Sequence, residues 1–329
     1  MPAQNVRLIS YNVENLFDYQ HDSLKNDSSF LPDGLHHWTY FRYQTKLDRI
    51  AQVIVNIAGW ESVPLVGLCE VENARCLRDL CYRMKRFNYR FIHHESPDER
   101  GVDVALLYDS TKVKVLKSKP LKVDLNGDKT RDVLYACCLL NKRDTIHTMV
   151  CHLPSQLGGG ATTHWKRQAA KQVIQQQIDS IYSVHPEATI VVMGDMNSEA
   201  KDDLQGVNNL MIGLAKEGKG THKYHGIWSC LDQFYVSSRL LEKAGARIFS
   251  PAWLQEEDTK YLDLQPKRTY VGFRYHDGHS DLSGGRLDSD AADLLCRDLC
   301  HDRYFRPGGW CGGGRLLRAD DRFCGDELP

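Results

Sequence analysis

Apolar residues follow two different spacings along the chain. Short β-branched or wholly apolar runs bounded by polar residues predict buried strands. A stripe with helical spacing, made of Tyr43, Leu47, Ile50, Ile54 and Ile57, predicts an amphipathic helix. Helices are predicted over residues 38–58, 74–85 and 163–183. Strands are predicted over residues 6–11, 65–69, 89–93, 102–108, 113–116, 133–140, 145–152, 189–193 and 233–237.

The order of these elements predicts an α/β or α+β protein built in layers, because strands and helices alternate along the chain. This pattern ends near residue 283. No lysine follows Lys267, no valine follows Val271, and the glycine-rich residues 307–314 cannot form a core element. We therefore expect one domain over residues 1–283 and an irregular, disordered tail over residues 284–329.

The bulk composition is that of an ordinary globular protein, with 42% apolar and 26% charged residues. A net charge of −1 argues against tight non-specific binding of nucleic acid, although a local basic patch is still compatible with it. No apolar run approaches the ~20 residues that span a bilayer, and the first residues lack the pattern of a signal peptide. We expect a cytoplasmic monomer, or an exported protein if the true start lies upstream. The eleven cysteines show no framework spacing and are expected as free thiols and core residues.

The segment Gly194-Asp195-Met196-Asn197 follows a β-branched strand and carries the clearest chemical signal. Glycine allows a sharp turn, and residues two positions apart in extended backbone point to the same side. One site therefore receives a carboxylate, which can accept a proton or hold a metal, and an amide, which can donate to an anion. This pair suits hydrolysis of a phosphate ester. Because the same composition is common in turns, the interpretation depends on the rest of the chain.

Two further polar residues end predicted strands in the first third of the chain. Glu70 closes a buried apolar strand, where a carboxylate is costly unless it is paired or coordinated, so a metal role is favoured. Asn12 also ends a strand, a position where asparagine is often only a turn former. Glu72 is interpreted as a solvated acid at the start of a helix.

Three more polar residues lie within later strands or at one end of them. Asp103 lies within an apolar strand and needs a partner, and Asp232 opens another strand. His152 ends a strand and is followed by the glycine loop 158–160, which suits the rim of an active site.

In this order, the polar strand ends resemble the endonuclease/exonuclease/phosphatase superfamily across residues 6–281. The matching segments are Ser-Tyr-Asn-Val-Glu-Asn, Leu-Cys-Glu-Val-Glu, Asp-Val-Ala-Leu-Leu-Tyr, Cys-His-Leu-Pro-Ser, Gly-Asp-Met-Asn-Ser, Leu-Asp-Gln-Phe-Tyr-Val and Ser-Asp. Each segment alone is weak, whereas the ordered set is specific. The resemblance implies a four-layer sandwich in which two mixed β-sheets pack face to face with helices outside.

The resemblance also implies a metal site. Asn12 and Glu70 would hold a Mg²⁺ or Mn²⁺ ion, since such ions prefer oxygen ligands, and Asp281 would contribute on the metal side. The ion would stabilise charge that develops on a phosphoryl oxygen and on the leaving group.

The resemblance assigns the remaining residues to the reaction itself. Asp195 would orient or deprotonate the attacking water, and Asn197 would donate to a non-bridging oxygen. His152 would stabilise the negative charge of the transition state. Asp103 is the candidate that keeps His152 oriented or charged.

The chain departs from the family pattern at the last segment. A Ser-Asp-His ending is expected, but the sequence reads Ser280-Asp281-Leu282-Ser283, so Asp232 loses the histidine that it would orient. With one choice of codons, deleting two bases converts Asp-His-Phe-Pro-Val into Asp-Leu-Ser-Gly-Gly, the sequence of residues 281–285. This frame-shift hypothesis accounts for the missing histidine, the changed composition and the loss of a final core strand.

Two other interpretations of the tail remain open. His279 could replace the missing histidine, although in a strand it would share the face of Asp281, where the expected histidine would not. A zinc site could use the tail's cysteines and histidine, although their spacing fits no compact zinc motif: Cys296, Cys300, His301, Cys311 and Cys324.

These observations favour a metal-dependent phosphoester hydrolase, most simply a phosphodiesterase acting on DNA or RNA. The first alternative is an impaired member that binds phosphate ligands without turnover, because removal of one catalytic group commonly costs several orders of magnitude in rate. The second is a phosphoesterase acting on small molecules or lipids. A third is poor folding through an exposed sheet edge. Substrate choice is expected to depend on residues 19–37 and 261–278.

Overall fold

Two β-sheets form the centre of the molecule. The structure, a computed structural model, describes residues 6–156 and 159–267 and the backbone of 294–296. The first sheet contains β1 (Leu8–Leu16), β2 (Leu65–Val71), β3 (Tyr89–His93) and β4 (Asp103–Asp109), in the order β3-β4-β2-β1. Strands β1 and β2 are parallel, and the other pairs are antiparallel. The backbone of Leu294–Cys296 adds a short strand antiparallel to β1.

The later strands of the chain are β5 (Val113–Leu121), β6 (Val133–Leu140), β7 (Asp144–His152), β8 (Thr189–Asp195), β9 (Val207–Asn209), β10 (His222–Tyr224), β11 (Ile227–Ser229), β12 (Asp232–Ser237), β13 (Gln255–Asp258) and β14 (Asp263–Pro266). The second sheet has six of these strands, in the order β5-β6-β7-β8-β12-β9. Strands β7 and β8 are parallel, and all other neighbours in this sheet are antiparallel. Strands β10 and β11 form one small hairpin, and β13 and β14 form another.

In the described residues, three longer α-helices and one short α-helix accompany the sheets. They are α1 (Tyr40–Ala58), α2 (Ala74–Arg83), α3 (Gly160–Val184) and α4 (Ile212–Lys216). The side chain of Thr39 caps α1 by accepting from the Arg42 N–H, and Asn73 caps α2 in the same way. Such caps satisfy backbone donors that have no partner within the helix.

Three apolar clusters show how the layers pack. One cluster joins alternate residues of both sheets, such as Leu8, Leu106, Val150 and Phe234. A second joins the other face of the first sheet to α1 and α2, and a third joins the other face of the second sheet to α3. The layers therefore run helices, sheet, sheet, helix, which confirms the predicted four-layer sandwich.

Alternation along the strands determines which face each strand-end residue occupies. In β8, Val191 and Met193 face the first sheet, so the next residue of that series, Asp195, faces it as well. In β7, Val150 faces the first sheet and is followed on the same side by His152. Both side chains therefore enter the space between the sheets.

Most predicted elements are present, with different ends. Strand β1 continues to Leu16, β5 continues to Leu121, and α3 begins at Gly160. Strands β9, β10, β11, β13 and β14 were not predicted, because they are only three or four residues long and lack an apolar run. Within the described residues no helix is long and apolar enough to cross a membrane, and seven cysteines there are free thiols. Apart from the backbone of Leu294–Cys296, the predicted tail lies outside the described residues.

Candidate active site

Polar strand ends from both sheets meet along one edge of the sandwich. In the second sheet, Asp195 lies in register with His152 on one side and with Asp232 on the other. In the first sheet, Asn12 lies in register with Cys69, the residue before Glu70. The predicted residues of β1, β2, β7, β8 and β12 therefore converge on one site.

Gly194 allows β7 and β8 to approach closely beside the site. Its φ of 136° lies in a region that side chains disfavour, and a Cβ atom there would lie 1.9 Å from the carbonyl oxygen of Cys151. Only glycine fits this position. Its small size keeps the backbone of Asp195 in register with His152.

A bulge in β1 turns Glu70 toward the site. The pairing of β1 with β2 slips between Asn12 and Leu16, so three residues of β1 stand opposite Glu70. Cys69 faces the space between the sheets, and regular alternation would place Val71 on that face as well. Glu70 has a φ of 64°, and Val71 instead packs on the helix side of the sheet. The irregular backbone thus changes the face on which the Glu70 carboxylate lies.

Asn12 lies between two buried carboxylates. Its Nδ2 atom is 3.4 Å from Oε1 of Glu70 and 3.3 Å from Oδ2 of Asp195. Its Oδ1 atom accepts a hydrogen bond from the backbone N–H of Glu14 at 3.0 Å. The second oxygen of Glu70 accepts from the backbone N–H of Asn15 at 2.8 Å. The structure therefore brings together the side chains of Asn12, Glu70 and Asp195.

His152 faces the same two carboxylates. Its Nε2 atom lies 3.6 Å from Oδ2 of Asp195 and 3.9 Å from Oε1 of Glu70. Burial lowers the pKa of His152 well below its usual range, and the charges of Arg131 and Arg100 lower it further. A neutral imidazole in this position can donate from only one ring nitrogen.

The segment after β8 holds Asp195 and Asn197 together. Oδ1 of Asp195 accepts from the backbone N–H of Asn197 at 2.7 Å, and Nδ2 of Asn197 donates to the Leu153 carbonyl at 2.9 Å. Asn197 has a φ of 46°, which asparagine tolerates better than most residues. Burial raises the pKa of Asp195 to about 6, and repulsion from Glu70 adds to this increase. At neutral pH this carboxyl can still act as a base.

Asp232 is buried beside Asp195. Neither of its carboxylate oxygens has a hydrogen bond to any residue that the structure describes, and its backbone N–H donates to the Thr221 hydroxyl at 3.1 Å. Burial raises the pKa of Asp232 well above its usual range, and the Asp195 charge raises it further. Such a group is costly unless something pairs with it.

The predicted contact between Asp103 and His152 is not formed. Oδ2 of Asp103 lies 3.4 Å from Nε2 of His93, its Oδ1 accepts from the Ser96 N–H, and Nδ1 of His152 has no partner among the described residues. Alternation explains this: Asp103 shares the face of Ala105, which packs against the helices, whereas His152 faces the space between the sheets.

Arg131 holds the backbone that carries His152, a role that the sequence did not reveal. Its Nε atom donates to the His152 carbonyl at 3.0 Å, and Nη2 donates to the Leu153 carbonyl at 3.3 Å. Its Nη1 atom contacts Oδ2 of Asp98 at 3.3 Å. Only 2% of the side chain is exposed, so the guanidinium is fixed behind the site.

Lys46 was also missed, because helical periodicity places it on α1 without indicating that its side chain is buried. Only 1% of the residue is exposed, and its ammonium donates to the Glu14 carbonyl. Burial lowers the pKa of Lys46 to about 8, and the charges of Glu14 and Glu70 act in the opposite direction. A cation therefore lies behind the bulge that faces Glu70.

The interpretation of Glu72 as a solvated acid is wrong. The residue is 4% exposed, and its Oε2 atom accepts from the Asp18 N–H at 2.6 Å and from Nδ2 of Asn73 at 3.1 Å. Burial raises the pKa of Glu72 to about 8, with further repulsion from Asp18. Its carboxyl supports the loop after β1 rather than a helix start.

The basic residues of α3 are engaged within the protein. Arg167 is buried and donates to several backbone carbonyls, including that of Pro154 at 3.3 Å. Lys171 pairs with Asp203, and Lys166 pairs with Asp128 at 2.6 Å. Arg167 therefore stabilises the loop before α3, and Lys166 and Lys171 pair with carboxylates instead of forming a free phosphate-binding face.

The chemistry of the converging side chains fits a divalent cation. Among the described residues, the basic side chain closest to pairing with Glu70 and Asp195 is His152, at 3.9 and 3.6 Å. Burial keeps this imidazole neutral, so it does not compensate their charge. The two carboxylates supply the hard oxygen atoms that Mg²⁺ and Mn²⁺ prefer. Asn12 directs its nitrogen toward them, so it fits as an oxygen ligand only after its side-chain amide turns over.

Several predictions concern residues outside the described part of the chain. Asp281, assigned to the metal side, and His279, considered as a replacement for the missing histidine, belong to this group. The same is true of the side chains considered for zinc, which are Cys296, Cys300, His301, Cys311 and Cys324.

Solved structures share this fold. A truncated TDP2 of Caenorhabditis elegans superimposes with a TM-score of 0.57 and 16% identity, over 89% of this chain and 97% of that chain. The catalytic domain of human Nocturnin, with a bound sulfate anion, gives a TM-score of 0.53 and 13% identity over 90% and 96%. A mannosyl-6-phosphatase of Bacteroides thetaiotaomicron gives a TM-score of 0.56 and 12% identity over 88% and 98%. At these identities the likeness concerns the fold.

The sequence itself identifies the family. No curated protein matches the chain. The model of the endonuclease/exonuclease/phosphatase family matches residues 7–283, and this match ends at the position after which the amino-acid composition changes. It includes every strand of the two sheets apart from Leu294–Cys296. The chain belongs to the endonuclease/exonuclease/phosphatase family.

Proposed function

We propose that this protein is a divalent-metal-dependent phosphoester hydrolase whose substrates are phosphodiesters. The observation that carries the proposal is the pair of buried carboxylates, Glu70 and Asp195, that share the side chain of Asn12 at 3.4 and 3.3 Å. Among the described residues no lysine or arginine forms an ion pair with either carboxylate. Two buried like charges are then unfavourable unless a cation joins them.

The cation would be Mg²⁺ or Mn²⁺. Glu70 and Asn12 would hold it, with Asp281 as a further predicted ligand. When bound, it would supply charge stabilisation for a phosphoryl oxygen and for the leaving oxygen. The hydrogen bond from the Asn15 N–H fixes one oxygen of Glu70, which leaves the other directed toward Asn12.

The protein's own groups would activate the water and stabilise the charge. Asp195 would orient the attacking water and accept its proton, because a pKa of about 6 leaves the carboxylate mostly ionised at neutral pH. Asn197, held by the Leu153 carbonyl, would donate to a non-bridging oxygen. His152 would donate from Nε2 to the phosphoryl group as negative charge develops.

Solved proteins with this fold supply one substrate name and one bound anion. One solved relative is a mannosyl-6-phosphatase, and the human Nocturnin domain holds a sulfate anion. Fold does not determine substrate, so several substrate classes must be tested. DNA or RNA comes first, as the sequence analysis favours, followed by small-molecule and lipid phosphoesters.

A second candidate function is binding of phosphate ligands without turnover. The buried carboxylate of Asp232 favours it, because no described residue hydrogen-bonds to its oxygens. That carboxylate would orient the histidine of a Ser-Asp-His ending, and this chain has Leu282 in the histidine's place. In this case metal affinity would persist through Asn12, Glu70 and Asp195, whereas hydrolysis would be lost.

Hydrolysis of bis-p-nitrophenyl phosphate and of plasmid DNA with Mg²⁺ or Mn²⁺ tests these proposals. The chain is compared with a version that ends in Ser-Asp-His-Phe-Pro-Val and a restored strand. Turnover by both versions supports a competent hydrolase, and turnover by the restored version alone supports the impaired member. If neither version hydrolyses a diester, the monoester p-nitrophenyl phosphate or a lipid phosphoester, the proposed function is wrong.

A control identifies the source of any activity. Asp195→Asn in each active version should lower the rate by about 10²–10⁴-fold, the usual range for loss of a general base. An unchanged rate would assign the activity to a contaminant or to another site. Asp232→Asn should affect the restored version by a similar factor and this chain much less.

A further inference from the structure

One peptide group lies between a buried cation and a candidate metal ligand. The peptide that joins Glu14 to Asn15 accepts at its carbonyl oxygen from the Lys46 ammonium. The N–H of the same peptide donates to Oε2 of Glu70 at 2.8 Å. A peptide unit is planar, and its C=O and N–H point in opposite directions. Fixing the carbonyl therefore fixes the direction of the N–H.

This peptide belongs to the most irregular part of β1. Glu14 and Asn15 both have left-handed backbone angles, with φ of 55° and 58°. They form the bulge opposite Glu70, between the pairs Asn12–Cys69 and Leu16–Val71. Two consecutive non-glycine residues in this region cost free energy, so the surrounding contacts must hold them there.

Lys46 is the contact best placed to do this. It projects from α1, is 1% exposed, and packs beside a helix face that otherwise buries apolar side chains. Burial of an ammonium carries a large desolvation cost, which strong hydrogen bonds must offset. A charged donor on a peptide carbonyl also strengthens the hydrogen bond made by the N–H of that peptide.

We propose that Lys46 is a positioning residue for Glu70, acting through the peptide between Glu14 and Asn15. Its ammonium holds that peptide in the orientation that presents the Asn15 N–H to the Glu70 carboxylate. One carboxylate oxygen is thereby fixed, and the other remains directed to the metal position. The value of this arrangement for metal binding rests on the proposed function, whereas the link from Lys46 to Glu70 does not.

Mn²⁺ titration of the full chain followed by calorimetry tests the effect on the site. Lys46→Met should raise the Mn²⁺ dissociation constant by about tenfold or more, the usual cost of losing a group that orients a metal ligand. Lys46→Arg, which keeps a charged donor, should recover part of that loss. The matched control is Lys223→Met, because Lys223 is also a buried lysine, 6% exposed, and pairs with Asp258 and Asp263 at 3.2 and 3.3 Å. It should bind Mn²⁺ as the unsubstituted chain does.

The amide proton of Asn15, observed by NMR without metal, tests the link directly. An amide that donates to a carboxylate resonates downfield, so Lys46→Met and Glu70→Gln should each shift this proton upfield, and Lys223→Met should not. Lys46→Gln, which removes the charge, replaces Lys46→Met if the latter does not fold.

An unchanged Asn15 resonance together with Mn²⁺ affinity within twofold of the unsubstituted chain would overturn the inference. If the unsubstituted chain binds no Mn²⁺, the proposed function fails, and the Asn15 resonance still decides whether Lys46 positions Glu70.

Discussion

Nε2 of His152 and Oδ2 of Asp195 lie 3.6 Å apart across the parallel strands β7 and β8, with their Cα atoms in register. Sheet pairing therefore fixes the separation of the residue that would stabilise charge from the residue that would activate water. Gly194 permits this register, and Arg131 fixes the backbone beyond His152.

His152→Asn should lower turnover of bis-p-nitrophenyl phosphate by about 10²–10³-fold, because a donor to the developing charge is lost. Mn²⁺ affinity should change little, since His152 is not expected to be a ligand. Steady-state kinetics and Mn²⁺ titration, performed on the chain version that turns over, separate these effects. A large loss of Mn²⁺ affinity with retained turnover would reverse the assigned role.

Arg131→Lys should reduce both stability and turnover. Lysine cannot reproduce the three contacts of the guanidinium with His152, Leu153 and Asp98, and breaking a buried charged network costs about 3 kcal/mol. Displacement of His152 should lower the turnover number by up to about 10²-fold. Urea unfolding and kinetics measure the two effects. Arg143→Lys, at an exposed position, is the control and should match the unsubstituted chain.

Gly194→Ala should destabilise the protein by about 2–4 kcal/mol, because the new methyl group meets the Cys151 carbonyl and the backbone angle is strained. Gly213→Ala is the matched control: it lies in α4 with no atom within 4 Å of the added carbon, so it should be neutral or slightly stabilising. Thermal unfolding of both variants measures the difference in stability. Equal melting temperatures would show that β7 and β8 can separate at no cost.

Glu72 should make stability fall as the pH rises from about 4.5 to about 8. Its pKa is raised from 4.5 to about 8 in the fold, so its contribution to the free energy of unfolding is complete below pH ~4.5 and is lost as the pH rises through 8. Glu72→Gln removes this titration and should flatten the decline in stability between about pH 5 and pH 8. Urea unfolding across this range tests the effect. Parallel pH profiles for both chains would assign the decline to other groups.

The fold and the shared edge of the site could be predicted because they depend on local patterns. Apolar runs specified the strands, and polar residues at the ends of strands specified where Asn12, Glu70, Asp195 and His152 meet. Predictions that required side-chain direction were less successful. Asp103 was assigned to His152 from its place in the chain, whereas strand alternation places it on the opposite face of the sheet, beside His93.

The supporting residues could not be predicted, since their roles depend on tertiary contacts. Lys46 has ordinary helical spacing, and Arg131 lies between predicted strands without a pattern of its own. Glu72 has the sequence context of a helix start, yet the loop after β1 covers it. In each case the missing information was which distant backbone the side chain meets.

Mn²⁺ titration of the full chain, followed by calorimetry, tests the central claim most directly. One ion should bind, and Glu70→Gln should weaken binding by about 10- to 100-fold or more, because it removes a charged ligand. Glu72→Gln is the control, because it changes a buried carboxylate two residues away that faces the loop after β1. This variant should bind Mn²⁺ as the unsubstituted chain does. Absent binding by the unsubstituted chain, or equal affinity in Glu70→Gln, would contradict the assignment of this edge as a metal-dependent phosphoesterase site.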